Sequence, residues 1–371
     1  MSRNDVKGLL VVGDEIFEGI LFGAVQEEAK KNISFGEIVF NTSMTGYQEV
    51  MTDPSYAGQM VCFTTAHIGN TGANAVDVES KFVYAEGAII ASYTEHPSNF
   101  RSEQTFNQFL KDKGRLGIHS VDTRALTIYL RSRGVTPGFI LPESEKARIP
   151  ELQKELIAKN YAGIDWVLKT STKEPHWVRA KSEGKETKFK IVAYDYGVKG
   201  QLIKELAMRG CDVLVVPADY PAEKVLQENP NGIFLTNGPG DPSLATYAVK
   251  NVKELLGKKP IFGVCMGHQV LGMALGAKTY KLKFGHRGGN QPVKNIKTNA
   301  VEISSHNHGY AIDVKTLPST ATVSHTNLND ECCEGIIAPS LQAFSVQYHP
   351  ESSPGPHDSS YLFDQFIGMM K

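Results

Sequence analysis

From residue 189 to residue 275 the chain alternates short apolar runs with segments of helical period. No other feature constrains its fold as strongly. Phe189-Lys190-Ile191-Val192-Ala193-Tyr194-Asp195 is an apolar strand leading into a Gly197 loop, and a helix is expected over 199–209 with Gly210 at its end. Strands at 212–217, 232–236 and 261–264 are separated by a helix at 243–256, and a further helix at 266–275 follows the last of them. Alternation at this spacing argues a parallel, doubly wound sheet whose functional loops lie at the strand carboxyl ends. After Gly276 the pattern returns to strands, at 301–305, 320–325, 335–338 and 342–348, and a helix at 360–370 closes the chain.

The first 145 residues read differently, as a β-rich α/β domain. Gly8-Leu9-Leu10-Val11-Val12 and Ile16-Phe17-Glu18-Gly19-Ile20-Leu21-Phe22 flank Gly13-Asp14, a spacing that predicts a hairpin. Further strands are expected at 36–41, 59–64 and 87–92, and helices at 104–113 and 122–133. In the second helix Asp122 or Thr123 is the candidate cap, and Leu126, Ile128, Tyr129 and Leu130 the candidate apolar face. Residues 146–188 are rich in charge and are expected to be a linker with one short helix, so the domains are drawn as 1–145 and 189–371.

Lys and Arg number 39 against 40 Asp and Glu, so the formal net charge is -1. This leaves no accumulated positive field for nucleic acid or an anionic membrane. Five scattered cysteines, and an N-terminal stretch interrupted by Asp14 and Glu15, lead to the expectation of a cytoplasmic protein with reduced thiols. No Gly-x-x-x-x-Gly-Lys-Ser/Thr and no Gly-x-Gly-x-x-Gly occurs, so ATP or a dinucleotide is not expected on this chain.

The chemistry concentrates in Phe262-Gly263-Val264-Cys265-Met266-Gly267-His268-Gln269, where a buried strand passes into a helix. A sharp turn lifts Cys265 into the crevice, and the small residues Gly263 and Gly267 make room for it. Helix N-terminal N–H groups there favour a thiolate and, later, an oxyanion. A base is offered by Gln347-Tyr348-His349-Pro350-Glu351, in which Glu351 is placed to orient His349. A lone cysteine or histidine is more often a packed core residue; the two motifs together shift the balance toward a nucleophile and its base.

These two motifs resemble the triad signature of class I glutamine amidotransferases, and Thr236-Asn237-Gly238-Pro239-Gly240-Asp241-Pro242 resembles that family's oxyanion loop. The whole chain resembles the glutaminase subunit of carbamoyl-phosphate synthetase. That likeness is carried by Phe40-Asn41-Thr42-Ser43-Met44-Thr45-Gly46-Tyr47-Gln48-Glu49, Asp53-Pro54-Ser55-Tyr56, His67-Ile68-Gly69-Asn70-Thr71-Gly72 and Ser305-His306-Asn307-His308-Gly309-Tyr310-Ala311.

The resemblance implies a Cys265–His349–Glu351 triad that hydrolyses glutamine through a thioester. It implies glutamine contacts from Ser43, Gly238, Gly240, Met266, Gln269, Asn307, Gly309 and Tyr310, with Ser43 supplied by the first domain. Backbone N–H groups near Gly240 and Met266 become candidate oxyanion donors, each worth roughly 3 kcal/mol. It implies a large partner subunit that carries ATP and a divalent metal and makes carbamoyl phosphate for arginine and pyrimidine synthesis. Ammonia would pass to that partner through a channel, in a heterodimer or larger assembly.

Two positions depart from the usual pattern: His306 stands where Gln is expected and Tyr310 where Phe is. His306 and His308 make only two metal ligands, an incomplete set, and no metal is assigned to this chain. Cys332 and Cys333 are expected as free thiols, and Gly285-His286-Arg287-Gly288-Gly289 as a flexible basic turn. Two rivals remain: an amidase serving another synthetase or none, and a scaffold subunit without activity.

Overall fold

A computed structural model describes residues 5–180 and 188–371, which form two compact units, Met1–Ile164 and Asp165–Lys371. The first unit is built from β1 (Lys7–Val12), β2 (Glu15–Gly23), β3 (Ser34–Asn41), α1 (Tyr47–Thr52), β4 (Gln59–Phe63), β5 (His67–Ile68), β6 (Gly87–Ile89), β7 (Ser92–Tyr93), α2 (Phe106–Asp112), β8 (Leu116–His119), α3 (Thr123–Arg133), β9 (Thr136–Pro142) and α4 (Ile149–Lys159). Seven of the strands close into a barrel in the order β1-β2-β8-β6-β4-β3-β9, and β9 pairs back onto β1.

The expected hairpin is present, with Val12 opposite Glu15 across Gly13-Asp14. Barrel closure was not an expectation, because it depends on pairings between segments far apart in sequence. Leu10, Leu21, Ile38, Met60, Ile89, Ile118 and Ile140, one from each barrel strand, meet in a single buried cluster. Leu126 and Leu130 of α3 pack into the same cluster. The Asp122 carboxylate accepts the Ala125 N–H at 2.8 Å and caps α3, as its spacing predicts. Ile128 departs from the expected apolar face: it is exposed, because α3 buries only the stripe through Leu126 and Leu130.

The division between the units falls within residues 146–188, the stretch read as a linker. Leu152 of α4 is buried with Leu9, Val11, Phe139 and Leu141, so this helix covers the outside of the barrel. Most of the charged run expected as a solvated connection falls on residues 181–187, outside the described residues.

The second unit contains α5 (Trp166–Thr170), β10 (His176–Val178), β11 (Phe189–Asp195), α6 (Gly200–Met208), β12 (Cys211–Pro217), α7 (Ala222–Gln227), β13 (Gly232–Leu235), α8 (Thr246–Leu255), β14 (Ile261–Val264), α9 (Met266–Leu275), β15 (Lys278–Asn295), β16 (Val301–Asp313), β17 (Thr322–Asn327), β18 (Cys333–Ala338), β19 (Ala343–Val346) and α10 (Tyr361–Met369). Its sheet runs β10-β12-β11-β13-β14-β19-β18-β17-β15-β16. The strands from β12 to β19 are parallel, as the alternation predicts, and the remainder of the sheet is antiparallel.

Both faces of the parallel part are buried, which explains its nearly continuous apolar strands. Ile191 and Ala193 face Leu202 and Leu206 of α6 and Phe363 and Phe366 of α10. Val192 and Tyr194 belong to the other face, with Val225 of α7, Val252 of α8 and Val270 of α9. Each fully buried Phe or Val contributes about 1.5–3 kcal/mol relative to exposure.

One sequence expectation is corrected by the sheet. The segment Gly285–Gly289 is not a flexible turn; it lies within β15, where irregular pairing with β16 absorbs its glycines, and His286 and Arg287 are buried. Asn307 and Gly309 sit on β16.

Candidate functional site

Cys265 stands between β14 and α9 with φ 54° and ψ -102°, a conformation seldom adopted by a residue with a side chain. Strain of this kind costs on the order of 1–3 kcal/mol and persists only where the surroundings fix it. Here they do. The Cys265 N–H donates to the Val346 carbonyl at 2.9 Å, and its own carbonyl accepts from His268 at 3.0 Å and Gln269 at 3.1 Å. A Cβ on Gly263 would lie 2.7 Å from the Gly267 carbonyl oxygen, and one on Gly267 would run into the Leu235 carbonyl. Only glycine permits this approach of helix to strand. The Gly267 N–H is taken by the Thr236 carbonyl at 2.9 Å, and the Met266 N–H is the first-turn donor those bonds leave over.

β14 and β19 are neighbours in the sheet and run in the same direction, so the segments that follow them emerge side by side. This brings His349 and Glu351 to Cys265. The His349 backbone is pinned by its N–H to the Ser305 carbonyl at 2.8 Å, and its Nδ1 donates to Glu351 Oε1 at 2.8 Å. That bond leaves Nε2 as the working nitrogen, buried and with no hydrogen-bond partner among the described residues. The Cys265 thiol donates to the Asn307 carbonyl at 3.5 Å. Loose sulfur geometry of this sort is usual before substrate binds.

Electrostatics sharpen the arrangement. Burial opposes a charge on His349, but the Glu351 carboxylate and the Cys265 sulfur outweigh it and raise the imidazole to about 10. Burial likewise opposes the Glu351 carboxylate, and here the Lys199 ammonium, then His349, prevail and hold it at about 2. Lys199 Nζ donates to Glu351 Oε1 at 2.7 Å, with both side chains out of solvent.

Lys199 is a participant that sequence reasoning missed. A lysine between an apolar strand and a helix reads as a solvated cap, and nothing local announces a partner 152 positions away. Its backbone N–H donates to the Asn237 side chain at 3.0 Å, which ties the start of α6 to the loop holding Gly238 and Gly240.

The remaining expected contacts divide by unit. Gly238 and Gly240 follow β13, Met266 and Gln269 lie on the first turn of α9, and Asn307, Gly309 and Tyr310 lie on β16. Gln269 Nε2 donates to the Tyr310 carbonyl at 2.9 Å and to Gln347 Oε1 at 3.0 Å, so α9 and β16 are joined beside Cys265. Ser43 belongs to the first unit, on the loop after β3, where its N–H donates to Asn41 Oδ1 at 2.7 Å. All five cysteines are free and buried. Among the described residues no helix is long and apolar enough to cross a membrane.

Comparison with known proteins follows the same division. Residues 192–369 match the family described as glutamine amidotransferase class-I, and residues 9–140 match the carbamoyl-phosphate synthase small chain, CPSase domain. A carbamoyl phosphate synthase small chain from Syntrophotalea carbinolica is 48% identical over 99% of this chain and 98% of its own length. The protein of the same name from Vibrio parahaemolyticus is 44% identical over 98% of each. A chloroplastic carbamoyl phosphate synthase small chain from Arabidopsis thaliana is 46% identical over 90% of this chain and 80% of its own. With such identity along nearly its full length, the chain belongs to the carbamoyl phosphate synthase small chain family and carries a class I glutamine amidotransferase domain.

Proposed function

We propose that this chain hydrolyses L-glutamine at Cys265, with His349 and Glu351, and delivers the ammonia to a large synthetase chain that makes carbamoyl phosphate. The observation that carries the reading is the buried Cys265–His349–Glu351 array at the carboxyl ends of two adjacent parallel strands.

Cys265 passes its thiol proton to His349 Nε2 as Sγ attacks the side-chain carbonyl carbon of glutamine, and the carbonyl electrons move onto oxygen. The Met266 and Gly240 N–H groups are the candidate donors to that oxyanion. An imidazole raised to about 10 holds that proton at neutral pH, so His349 Nε2 is placed to give it to the departing nitrogen. The C–N bond breaks, ammonia leaves, and a glutamyl thioester remains on Cys265. His349, now neutral, takes a proton from water, whose oxygen attacks the thioester; the C–S bond breaks, His349 returns the proton to sulfur, and glutamate departs with the thiol restored. Glu351 keeps Nδ1 protonated and the ring oriented, and Lys199 keeps Glu351 ionised. Lys199 is therefore a positioning residue.

Gly238, Gln269, Asn307, Gly309 and Tyr310 are proposed to hold the glutamine, while Ser43 stays an expectation from the resemblance. The word "small chain" in the relatives' names supports a large-chain partner. ATP and divalent metal at that partner, a heterodimer with an ammonia channel, and a cytoplasmic setting are part of the same proposal.

Cys265→Ser in the reconstituted complex separates the reading from its rivals. Synthesis from glutamine is expected to vanish, and synthesis from added ammonia to remain near the parent rate. Loss of both would overturn the division of labour, and retention of both would remove Cys265 from the chemistry.

A further inference from the structure

His306 and His308, two residues that alone make an incomplete ligand set, are joined in space by His286 and Glu334. All four are buried, and their candidate ligand atoms lie within 4.8 Å of one another. We propose that these four side chains form a structural zinc site that braces the Asn307–Tyr310 segment of β16.

The first support is spacing. His306 Nδ1 lies 3.2 Å from His308 Nε2, His286 Nδ1 lies 3.4 Å from Glu334 Oε1, and His306 Nδ1 lies 3.7 Å from Glu334 Oε2. Four ligands bound to zinc at roughly 2.0–2.1 Å in a tetrahedron stand roughly 3.3–3.4 Å apart. The candidate ligand atoms stand up to 4.8 Å apart, so the widest separation has to contract by as much as about 1.4 Å for the cluster to close on an ion.

The second support is what the other end of each ligand does. His286 Nε2 bonds Asp330 Oδ2 at 2.9 Å, His306 Nε2 bonds Ser304 Oγ at 2.8 Å, and His308 Nδ1 donates to the Tyr310 carbonyl at 2.9 Å. Glu334 Oε1 accepts from Asn327 Nδ2 at 3.0 Å. Outer partners on every ligand are the usual mark of a metal site, because they fix tautomer and orientation. Inward, His286 Nδ1 and Glu334 Oε2 are buried and make no well-formed hydrogen bond among the described residues, meeting their neighbours only through the loose ion-pair contacts above. Buried polar atoms left without a good hydrogen bond are costly unless something binds them.

Chemistry selects the ion. Three imidazoles and one carboxylate suit zinc better than magnesium or calcium, which take oxygen shells. Four protein ligands leave no open position, so the site is structural. With Glu334 as ligand and Asp330 behind His286, two carboxylates balance the two positive charges. The consequence is local: His308 holds the Tyr310 carbonyl that also receives Gln269, and Asn307, between two ligands, faces Cys265.

The test is metal analysis of the untagged full-length chain after zinc supplementation and dialysis. About one zinc per chain is expected, falling at least tenfold in His306→Gln, which keeps a side chain able to reach Ser304. Cobalt loaded into the parent chain should give the visible bands of a tetrahedral ion without a thiolate-to-cobalt band, since no ligand is sulfur. This reading is independent of whether the variant folds. Chelation should lower the parent melting temperature, and zinc but not magnesium should restore it. Metal content equal in parent and variant, an octahedral cobalt spectrum, or a thiolate band pointing to a cysteine would each overturn the assignment.

Discussion

Replacing Lys199 by methionine preserves much of the side chain's volume and removes the ammonium that donates to Glu351 across 2.7 Å. Because both groups are out of solvent, the carboxylate is left buried with His349 as its remaining charged partner. A carboxyl held at about 2 rather than 4.5 carries roughly 3 kcal/mol of linkage, and Lys199 is the strongest influence acting against burial. Breaking buried pairs generally costs about 3–5 kcal/mol, so a loss of about 3 kcal/mol at neutral pH is expected. The sign with pH follows from the depressed carboxyl. Its contribution is present above 4.5 and is lost as pH falls through about 2, so parent and variant should converge on acidification. Urea unfolding of both chains at several pH values measures this directly. A loss below about 1 kcal/mol, or a difference that does not shrink toward low pH, would refute the reasoning.

Other consequences follow from the same geometry. Glu351→Gln removes the main group that raises His349, so the alkaline limit of glutamine hydrolysis, set near 10 in the parent, should move to lower pH. A pH profile of kcat checks it. The charge on His349 stabilises the fold below 6.5 and ceases to do so as pH rises through about 10, so Glu351→Gln should also flatten that part of the stability curve. Gly267→Ala forces a methyl group against the Leu235 carbonyl and should cost about 1–3 kcal/mol in thermal or urea unfolding, with a larger proportional loss in activity.

What was legible in the sequence was what is local. The strand-to-helix turn at Cys265 announces itself through Gly263 and Gly267, and the parallel sheet through alternating periods that survive burial. His349 and Glu351 are readable because two residues on one short segment stay together in any fold. Lys199 was not readable, since its partner is distant in sequence and a lysine ordinarily points to water. Nor was the ligand set around His306: His286 sat in a glycine-rich stretch that reads as a turn, and Glu334 is an acidic residue beside two cysteines. Both become meaningful only once β15, β16 and β18 share a sheet. The barrel escaped for a related reason, because seven short strands must find non-neighbouring partners before the cluster around Ile118 exists.

Trapping the intermediate is the most direct measurement. The complex is mixed with glutamine, quenched in acid within the first turnovers, digested and examined by mass spectrometry. One γ-glutamyl group is expected on Cys265, absent in Cys265→Ser and accumulating in variants that slow the attack of water. A glutamyl group on Cys62, Cys211, Cys332 or Cys333, or turnover of glutamine with no acylated cysteine, would contradict the account.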